Sequence, residues 1–253
     1  MYFICMMKLI LLLCFMSNFS YGTDRNIQFI YDNYCPWSCT KGSSLRPFGF
    51  AVDLANLIYL RSAGIEYRSS SFLRALSEVE SGRADIISAV YRNKTRKLIY
   101  SLPVGITNVS IATKIGKLKE SDYSTKLDSL RIGVAKGFVY SKAVEDYQNS
   151  RPDHVSVVSS VSAVGQLLKM IDAGRIDLMT DNHEVLVYWK KELKLNEIYI
   201  SKAPDYLSYK KEIYFAFTDS EKGRKLRDLF NKRFKELELS GELQKLKDRY
   251  SIK

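Results

Sequence analysis

The side chains best suited to covalent chemistry are Cys35 and Cys39, with three residues between them. An even pair in an oxidising compartment favours a disulfide that closes a small loop. Redox motifs place two residues between their cysteines, and zinc needs two further ligands, whereas the histidines His154 and His183 stand alone. We expect a structural disulfide, with two free thiols as the first alternative and redox or metal chemistry as the second. No cofactor and no metal is assigned.

The composition is that of a folded protein with a basic balance. The chain has 253 residues, of which 46% are hydrophobic and 26% charged, and its formal net charge is +11. The charges are spread along the sequence, and the densest run, residues 221–253, alternates in sign along a predicted helix. Because this pattern is typical of a solvated helix face, nucleic-acid binding is not predicted.

The first 22 residues read as a secretory signal peptide. Lys8 precedes an apolar run over residues 9–16, and Ser20 and Gly22 occupy the −3 and −1 positions of a cleavage site. The run is too short to span a bilayer, which needs about 20 residues. A short buried helix or a retained anchor is the alternative. We expect an exported protein that acts in the periplasm after removal of this segment.

The elements that must position any site alternate between strands and helices, which predicts an α/β protein. Helical periodicity places Phe72, Leu76 and Val79 on one face, and Val164, Leu167, Leu168 and Ile171 on another. A helix is expected to begin at Asp219 or Ser220 and to end near Gly241. Seven apolar runs predict strands, at residues 27–32, 85–91, 109–114, 130–136, 155–160, 177–182 and 213–218.

One short sequence motif occurs twice. A predicted helix ends in Gly82-Arg83-Ala84-Asp85, and another ends in Gly174-Arg175-Ile176-Asp177; a strand follows each. Each glycine can stop a helix by adopting a left-handed conformation. The repetition suggests two lobes of similar construction, although two ordinary helix stops are the alternative. Asp85 and Asp177 are interpreted as structural residues.

Seven segments in order resemble the extracytoplasmic solute-binding proteins of amino-acid ABC transporters, of the polar amino-acid type. They span nearly the whole chain after residue 22, at residues 29–32, 46–55, 82–85, 91–103, 130–137, 174–181 and 213–217. The resemblance implies a two-lobed periplasmic-binding-protein fold, in which each lobe is a mostly parallel sheet flanked by helices. The chain would cross the hinge twice, with lobe 1 at residues 23–112 and 213–253 and lobe 2 at 113–212. A single doubly wound sheet is the alternative.

The resemblance also implies a zwitterion site with opposite charges on opposed surfaces. Arg96 resembles the arginine that clamps the α-carboxylate, and a guanidinium can bind a carboxylate through two parallel hydrogen bonds. Because the spacing from Arg96 to the following Tyr100-Ser101 is shorter than usual, Arg92 is the alternative clamp. Asp181 resembles the aspartate that binds the α-ammonium, with capping of the next helix as its alternative role.

Further positions fall where the family places the pocket wall. Asp32, Tyr34, Trp37 and Phe50 match the first strand end and its aromatic neighbours, and Asn93 adds a hydrogen-bonding side chain. Core packing is the alternative for Phe50. One departure stands out, because Phe138-Val139 replaces the small hydroxyl residue and glycine that usually follow Lys136-Gly137. We expect this bulk to narrow the pocket or to move the ligand.

The resemblance predicts a monomeric receptor, without enzymatic activity, that captures a small molecule, an amino acid, and delivers it to an ABC permease in the inner membrane. The alternative is a periplasmic dehydratase of the prephenate or arogenate type, built on the same fold. Such an enzyme needs an acid or base beside the carboxylate site, for which His183 or Glu184 is the candidate.

Overall fold

The computed structural model describes residues 26–40, 46–60, 63–125 and 127–252. The predicted signal peptide, residues 1–22, lies outside the described residues. Within this part of the chain, the described strands are β1 Ile27–Tyr31, β2 Ile65–Ser69, β3 Ile86–Val90, β4 Leu98–Tyr100, β5 Gly105–Ile106, β6 Val109–Lys114, β7 Ile132–Ala135, β8 Val155–Val158, β9 Leu178–Asn182, β10 Ile198–Lys202 and β11 Glu212–Thr218.

The helices follow the apolar periodicity of the sequence. In the last long helix, the Ser220 side chain accepts a hydrogen bond from Gly223 N at 3.0 Å, so Ser220 is the N-cap. The described α-helices are α1 Phe50–Tyr59, α2 Phe72–Glu80, α3 Glu120–Thr125, α4 Lys142–Ser150, α5 Ala163–Asp172, α6 His183–Glu192, α7 Glu221–Leu239 and α8 Glu242–Tyr250. None of the described helices is both long and apolar enough to cross a membrane.

The strands form two separate sheets. The first has the order β2-β1-β3-β11-β4, with β5 paired to β11, and the second has the order β10-β6-β9-β7-β8. Helices α2 and α7 pack on the first sheet, α1 and α8 pack on α7 and on each other, and α5 and α6 pack on the second sheet. We call these two units the first lobe and the second lobe. The predicted α/β class with two lobes is confirmed.

Both sheets are mixed and not mostly parallel. Strand β1 pairs in parallel with β2 and β3, whereas β11 is antiparallel to β3, β4 and β5. In the second sheet β7 pairs in parallel with β8 and β9, and β6 is antiparallel to β9 and β10. The antiparallel pairs involve the strands that follow each crossing between lobes. Strand β6 lies wholly in the second sheet. The bounds predicted for the two lobes, at residues 112 and 212, stay a prediction.

The repeated motif forms the same helix-to-strand corner in each lobe. Gly82 and Gly174 adopt φ of 74° and 67°, and each is followed by a backbone hydrogen bond from the arginine to a carbonyl in the last turn of the helix. Asp85 then exchanges bonds with Gln28, donating N–H to its carbonyl at 2.9 Å and accepting its N–H at 2.8 Å. Asp177 does the same with Arg131, at 2.7 and 2.8 Å.

Candidate functional site

A cavity of about 300 Å³ lies between the two lobes. Its walls include residues that follow the carboxyl ends of β1, β3 and β7, together with residues of β9. Ligands of open α/β sheets bind at such strand ends. The volume is at the small end of the range for ligand pockets, about 300–1,000 Å³, and suits a small metabolite.

The floor of the cavity carries two acids from opposite lobes. Asp32 follows β1 and is 7% exposed, and Asp181 lies on β9 and is 5% exposed. Burial raises the pKa of each carboxyl to about 7, and the negative charge of Asp181 contributes to the shift at Asp32. A cationic group near both carboxylates would stabilise their ionised forms and so offset the cost of burial, which means that the floor favours binding of an ammonium group.

Asp181 is held by hydrogen bonds to one of its two oxygens. Its Oδ1 accepts from the Tyr34 hydroxyl at 2.5 Å and from Asn182 N at 2.7 Å. Oδ2 is buried and receives no hydrogen bond from the described residues. Because a buried carboxylate oxygen without a donor is costly, Oδ2 is a ready acceptor for a ligand N–H. The capping alternative is not what these contacts support, since Asn182 precedes the first residue of α6.

Tyr34 connects the lobes at this point. Its hydroxyl donates to Asp181 and accepts from Asn182 Nδ2 at 3.0 Å, and burial raises its pKa well above the usual range. The Cys35–Cys39 disulfide, with 5.0 Å between the Cα atoms, closes the short loop that directly follows Tyr34. The predicted structural disulfide is therefore present. The disulfide restricts the backbone next to Tyr34, whose side chain reaches across the cleft to Asp181.

Cationic side chains line the other part of the cavity wall. We call Arg92, Lys94, Arg96 and Lys211 the basic rim. The Arg92 guanidinium carbon lies 4.9 Å from the ring centroid of Tyr214 and 5.7 Å from that of Tyr100. Arg96 Nη1 lies 3.8 Å from Glu80 Oε1. Both candidate clamps therefore lie at the same cavity.

Asn93 also lines the cavity, but its side-chain oxygen is already used. It accepts from Thr95 N at 2.9 Å and from Thr95 Oγ1 at 2.8 Å, which fixes the turn that presents Arg92 and Arg96.

Trp37 and Phe50 do not belong to the cavity wall. Both are 0% exposed, their rings pack edge to face with centroids 5.3 Å apart, and neither lines the cavity. Core packing, the alternative given for Phe50, describes their observed position. The Trp37 indole N–H donates to Glu184 Oε1 at 3.2 Å, which is a contact between the lobes.

The aromatic wall contains Tyr34, as predicted, together with Phe138, Tyr91 and Tyr209. Phe138, the departure from the usual pattern, packs edge to face on Tyr34 at 5.5 Å and on Phe72 at 5.1 Å. Tyr91 and Tyr209 complete the wall, with hydroxyls 3.3 Å apart. Phe138 thus lines the cavity from the second lobe. Its bulk was visible in the sequence, whereas nothing there marked Tyr91 or Tyr209 as wall residues.

The residues nominated for an enzymatic acid or base lie outside the cavity wall. His183 is exposed and its Nδ1 is 3.0 Å from Ser110 Oγ, and Glu184 accepts from Trp37. Neither lines the cavity. The described residues contain no group of three or more His, Cys, Asp or Glu placed to hold a metal ion.

Solved structures with this fold include several binding proteins. One, from a study of glutathione import via GshT and the cystine ABC importer TcyBC of Streptococcus mutans, is 19% identical, with 90% of this chain and 95% of the other covered and a TM-score of 0.73. A substrate-binding protein of an amino-acid ABC transporter is 21% identical, with coverage of 89% and 98% and a TM-score of 0.72. An ancestral amino-acid-binding protein described as a precursor of cyclohexadienyl dehydratase is 17% identical, with coverage of 89% and 94% and a TM-score of 0.71.

At these identities the likeness concerns the fold. No curated protein matches the chain in sequence. The family model of bacterial extracellular solute-binding proteins, family 3, matches residues 27–253. This chain therefore belongs to the family 3 bacterial extracellular solute-binding proteins.

Proposed function

We propose that this protein is a monomeric periplasmic receptor that captures a free amino acid between its lobes and delivers it to an ABC permease in the inner membrane. One observation carries the proposal. Two buried carboxylates from opposite lobes, Asp32 and Asp181, share a cavity with the basic rim. A zwitterion meets both requirements at once, with its ammonium at the acids and its carboxylate at the rim.

The division of roles follows from burial. The acids are buried at the floor, and the rim residues Arg92, Lys94 and Lys211 are exposed while Arg96 is half-buried. We assign the α-ammonium to Asp32 and Asp181, and the α-carboxylate to Arg96, with Arg92 as the alternative clamp. Closure of the lobes removes water from these contacts and strengthens each of them.

Calorimetric titration with matched analogues tests this function. An amino acid is compared with its α-keto acid, which lacks the ammonium, and with its decarboxylated amine, which lacks the carboxylate. A site built to pair both groups rejects each analogue by about 10⁴-fold or more. Equal binding of the amino acid and either analogue contradicts the proposal.

Variants separate the two candidate clamps. Arg96→Ala and Asp181→Ala are each expected to weaken capture by about 2–5 kcal/mol, because each leaves a ligand charge without its partner. Lys97→Ala is the matched control, since Lys97 is exposed and lies outside the cavity wall. A large loss in Arg92→Ala with none in Arg96→Ala moves the clamp to Arg92. Unchanged affinity in all three variants refutes the site.

The dehydratase alternative has a separate test. The observation that favours this alternative is the pair of buried acids, Asp32 and Asp181, because carboxyl groups with pKa values of about 7 are suited to proton transfer at neutral pH. A receptor returns its ligand unaltered, as mass spectrometry of the recovered solute can establish. Conversion of prephenate or arogenate by the purified protein, abolished in Asp181→Asn, supports the dehydratase and contradicts the receptor.

A further inference from the structure

The charges around the cavity do not balance for a neutral amino acid. Among the described lining residues four are basic, the basic rim, and two are acidic, Asp32 and Asp181. A zwitterion with a neutral side chain brings one charge of each sign and leaves this excess unchanged. A solute with one additional negative charge reduces the excess and relieves the repulsion between the rim residues.

The rim cations differ in whether they already have an anionic partner. Arg96 lies 3.8 Å from Glu80. Arg92 and Lys211 form no ion pair with any residue in the described part of the chain, and both lie against tyrosine rings instead. An aromatic face attracts a cation but does not neutralise it. Both side chains are therefore available to an anionic group of the solute.

Lys211 is the better placed of the two for a distal group. Its Nζ lies 5.8 Å from the ring centroids of both Tyr91 and Tyr209, the tyrosines of the cavity wall. Its backbone is fixed, because Lys211 N donates to Thr107 Oγ1 at 2.9 Å and its carbonyl accepts from Thr107 N at 2.9 Å. The stem of Lys211 thus starts from a defined point where the chain returns to the first lobe.

From this arrangement we infer that the solute is an amino acid with a second carboxylate on its side chain, and that Lys211 is the cation that receives that group. The inference rests on the proposed function, since it presumes that the α-ammonium and α-carboxylate are held as described above. Lys211 becomes a specificity-determining residue of the same site.

Titration with isosteric pairs tests the inference. The probes are L-glutamate against L-glutamine and L-aspartate against L-asparagine, which differ in side-chain charge at nearly equal size, with L-lysine as the oppositely charged probe. The wild-type protein is expected to prefer one acidic member over its amide by at least about tenfold. Lys211→Met keeps the length of the side chain and removes its charge, and it is expected to bring that ratio of Kd values towards one.

Lys210→Met is the matched control, because Lys210 is the adjacent exposed lysine and does not line the cavity. It is expected to retain the wild-type ratio. Preference for an amide or for L-lysine, or an unaltered ratio in Lys211→Met, overturns the inference and leaves the receptor function standing. Failure of every amino acid to bind overturns the proposed function as well.

Discussion

Burial makes the negative charge of the Asp181 carboxylate costly. It is the largest cause of the raised pKa of this group, and the hydrogen bonds from Tyr34 and Asn182 N offset only part of the shift. Glu184 and Asp32 add like charges. Such an environment favours the protonated acid until a cation arrives, and this coupling between charge and ligand governs two predictions at the residue scale.

Asp181→Asn is expected to raise the melting temperature of the ligand-free protein at pH 8 while weakening capture. Asparagine keeps an oxygen that can accept from Tyr34 and Asn182 and removes a buried charge. For a chain of this size each 1 kcal/mol corresponds to about 2–4 °C. Thermal denaturation measures the effect, with the exposed Asp153→Asn as control. A lower melting temperature for Asp181→Asn at pH 8 contradicts this reasoning.

The affinity for the ammonium is expected to rise with pH between about 5 and 8. The folded-state pKa of Asp32 and Asp181 is about 7, above the ordinary value of 3.8. At pH 5 the free protein holds protons that the ligand must displace, whereas at pH 8 the carboxylates are already ionised. The same shift makes the free protein lose stability as pH rises from 4 through 7.

Calorimetry in two buffers of different ionisation enthalpy counts the protons released on binding at pH 6. Release is expected in the wild-type protein and should diminish in Asp181→Asn. A dissociation constant that stays flat from pH 5 to 8, with no proton release, rules out raised carboxyl pKa values in the cleft.

At the element scale, the two helix-to-strand corners are matched parts of the scaffold. Asp177 accepts three hydrogen bonds from Arg131 and pairs with Lys117 at 2.5 Å, and these contacts hold its pKa well below the ordinary range. Asp85 pairs with Lys222 at 2.6 Å in the equivalent corner. Both aspartates lie outside the cavity wall, which agrees with the structural role predicted for them.

Asp177→Ala is therefore expected to lower the free energy of unfolding by about 2–4 kcal/mol, because it leaves the Arg131 N–H and two cations without their acceptor. Urea denaturation at pH 7 measures the loss. The pKa of Asp177 is depressed, so its contribution is present above about pH 4 and disappears as pH falls below that value. A loss under 0.5 kcal/mol would contradict the structural role of this corner.

The sequence predicts the interior of each sheet better than its edges. All seven predicted strands are present, and six of them are buried along most of their length, whereas β8, at the edge of the second sheet, is partly exposed. The edge strand β2 alternates Ile65 and Tyr67 with charged residues and is half-exposed, so it contains no continuous apolar run. The cavity wall was harder still, because Phe72, Phe138 and Tyr209 are far apart in sequence and only the closure of the lobes brings them together.

At the scale of the whole molecule, hydrogen bonds outside the cavity hold the lobes together. Asn33 N donates to the Val161 carbonyl at 2.8 Å, and Asn33 Nδ2 donates to Ser162 Oγ at 2.9 Å. The Trp37–Glu184 bond lies on the same loop. We expect these contacts to break when the lobes separate, so that their free energy adds to that of ligand capture.

Ser162→Ala removes one of these bonds without touching the cavity wall. We expect the dissociation constant to rise about two- to tenfold, which corresponds to one hydrogen bond of about 0.5–1.5 kcal/mol. Small-angle scattering should report a larger radius of gyration at subsaturating ligand. Ser150→Ala, on an exposed helix surface, is the control. Wild-type affinity in Ser162→Ala means that this bond does not contribute to closure.

The position of β11 determines the order in which the protein can be completed. The second lobe draws its sheet from β6 to β10, a continuous stretch, whereas β11 inserts between β3 and β4 of the first. During synthesis the sheet of the second lobe can be completed before β11 of the first sheet, Glu212–Thr218, has been made. A nascent chain that stops before β11 exposes the unpaired edge of β3. An exposed strand edge favours aggregation, so we expect chaperones to bind this intermediate.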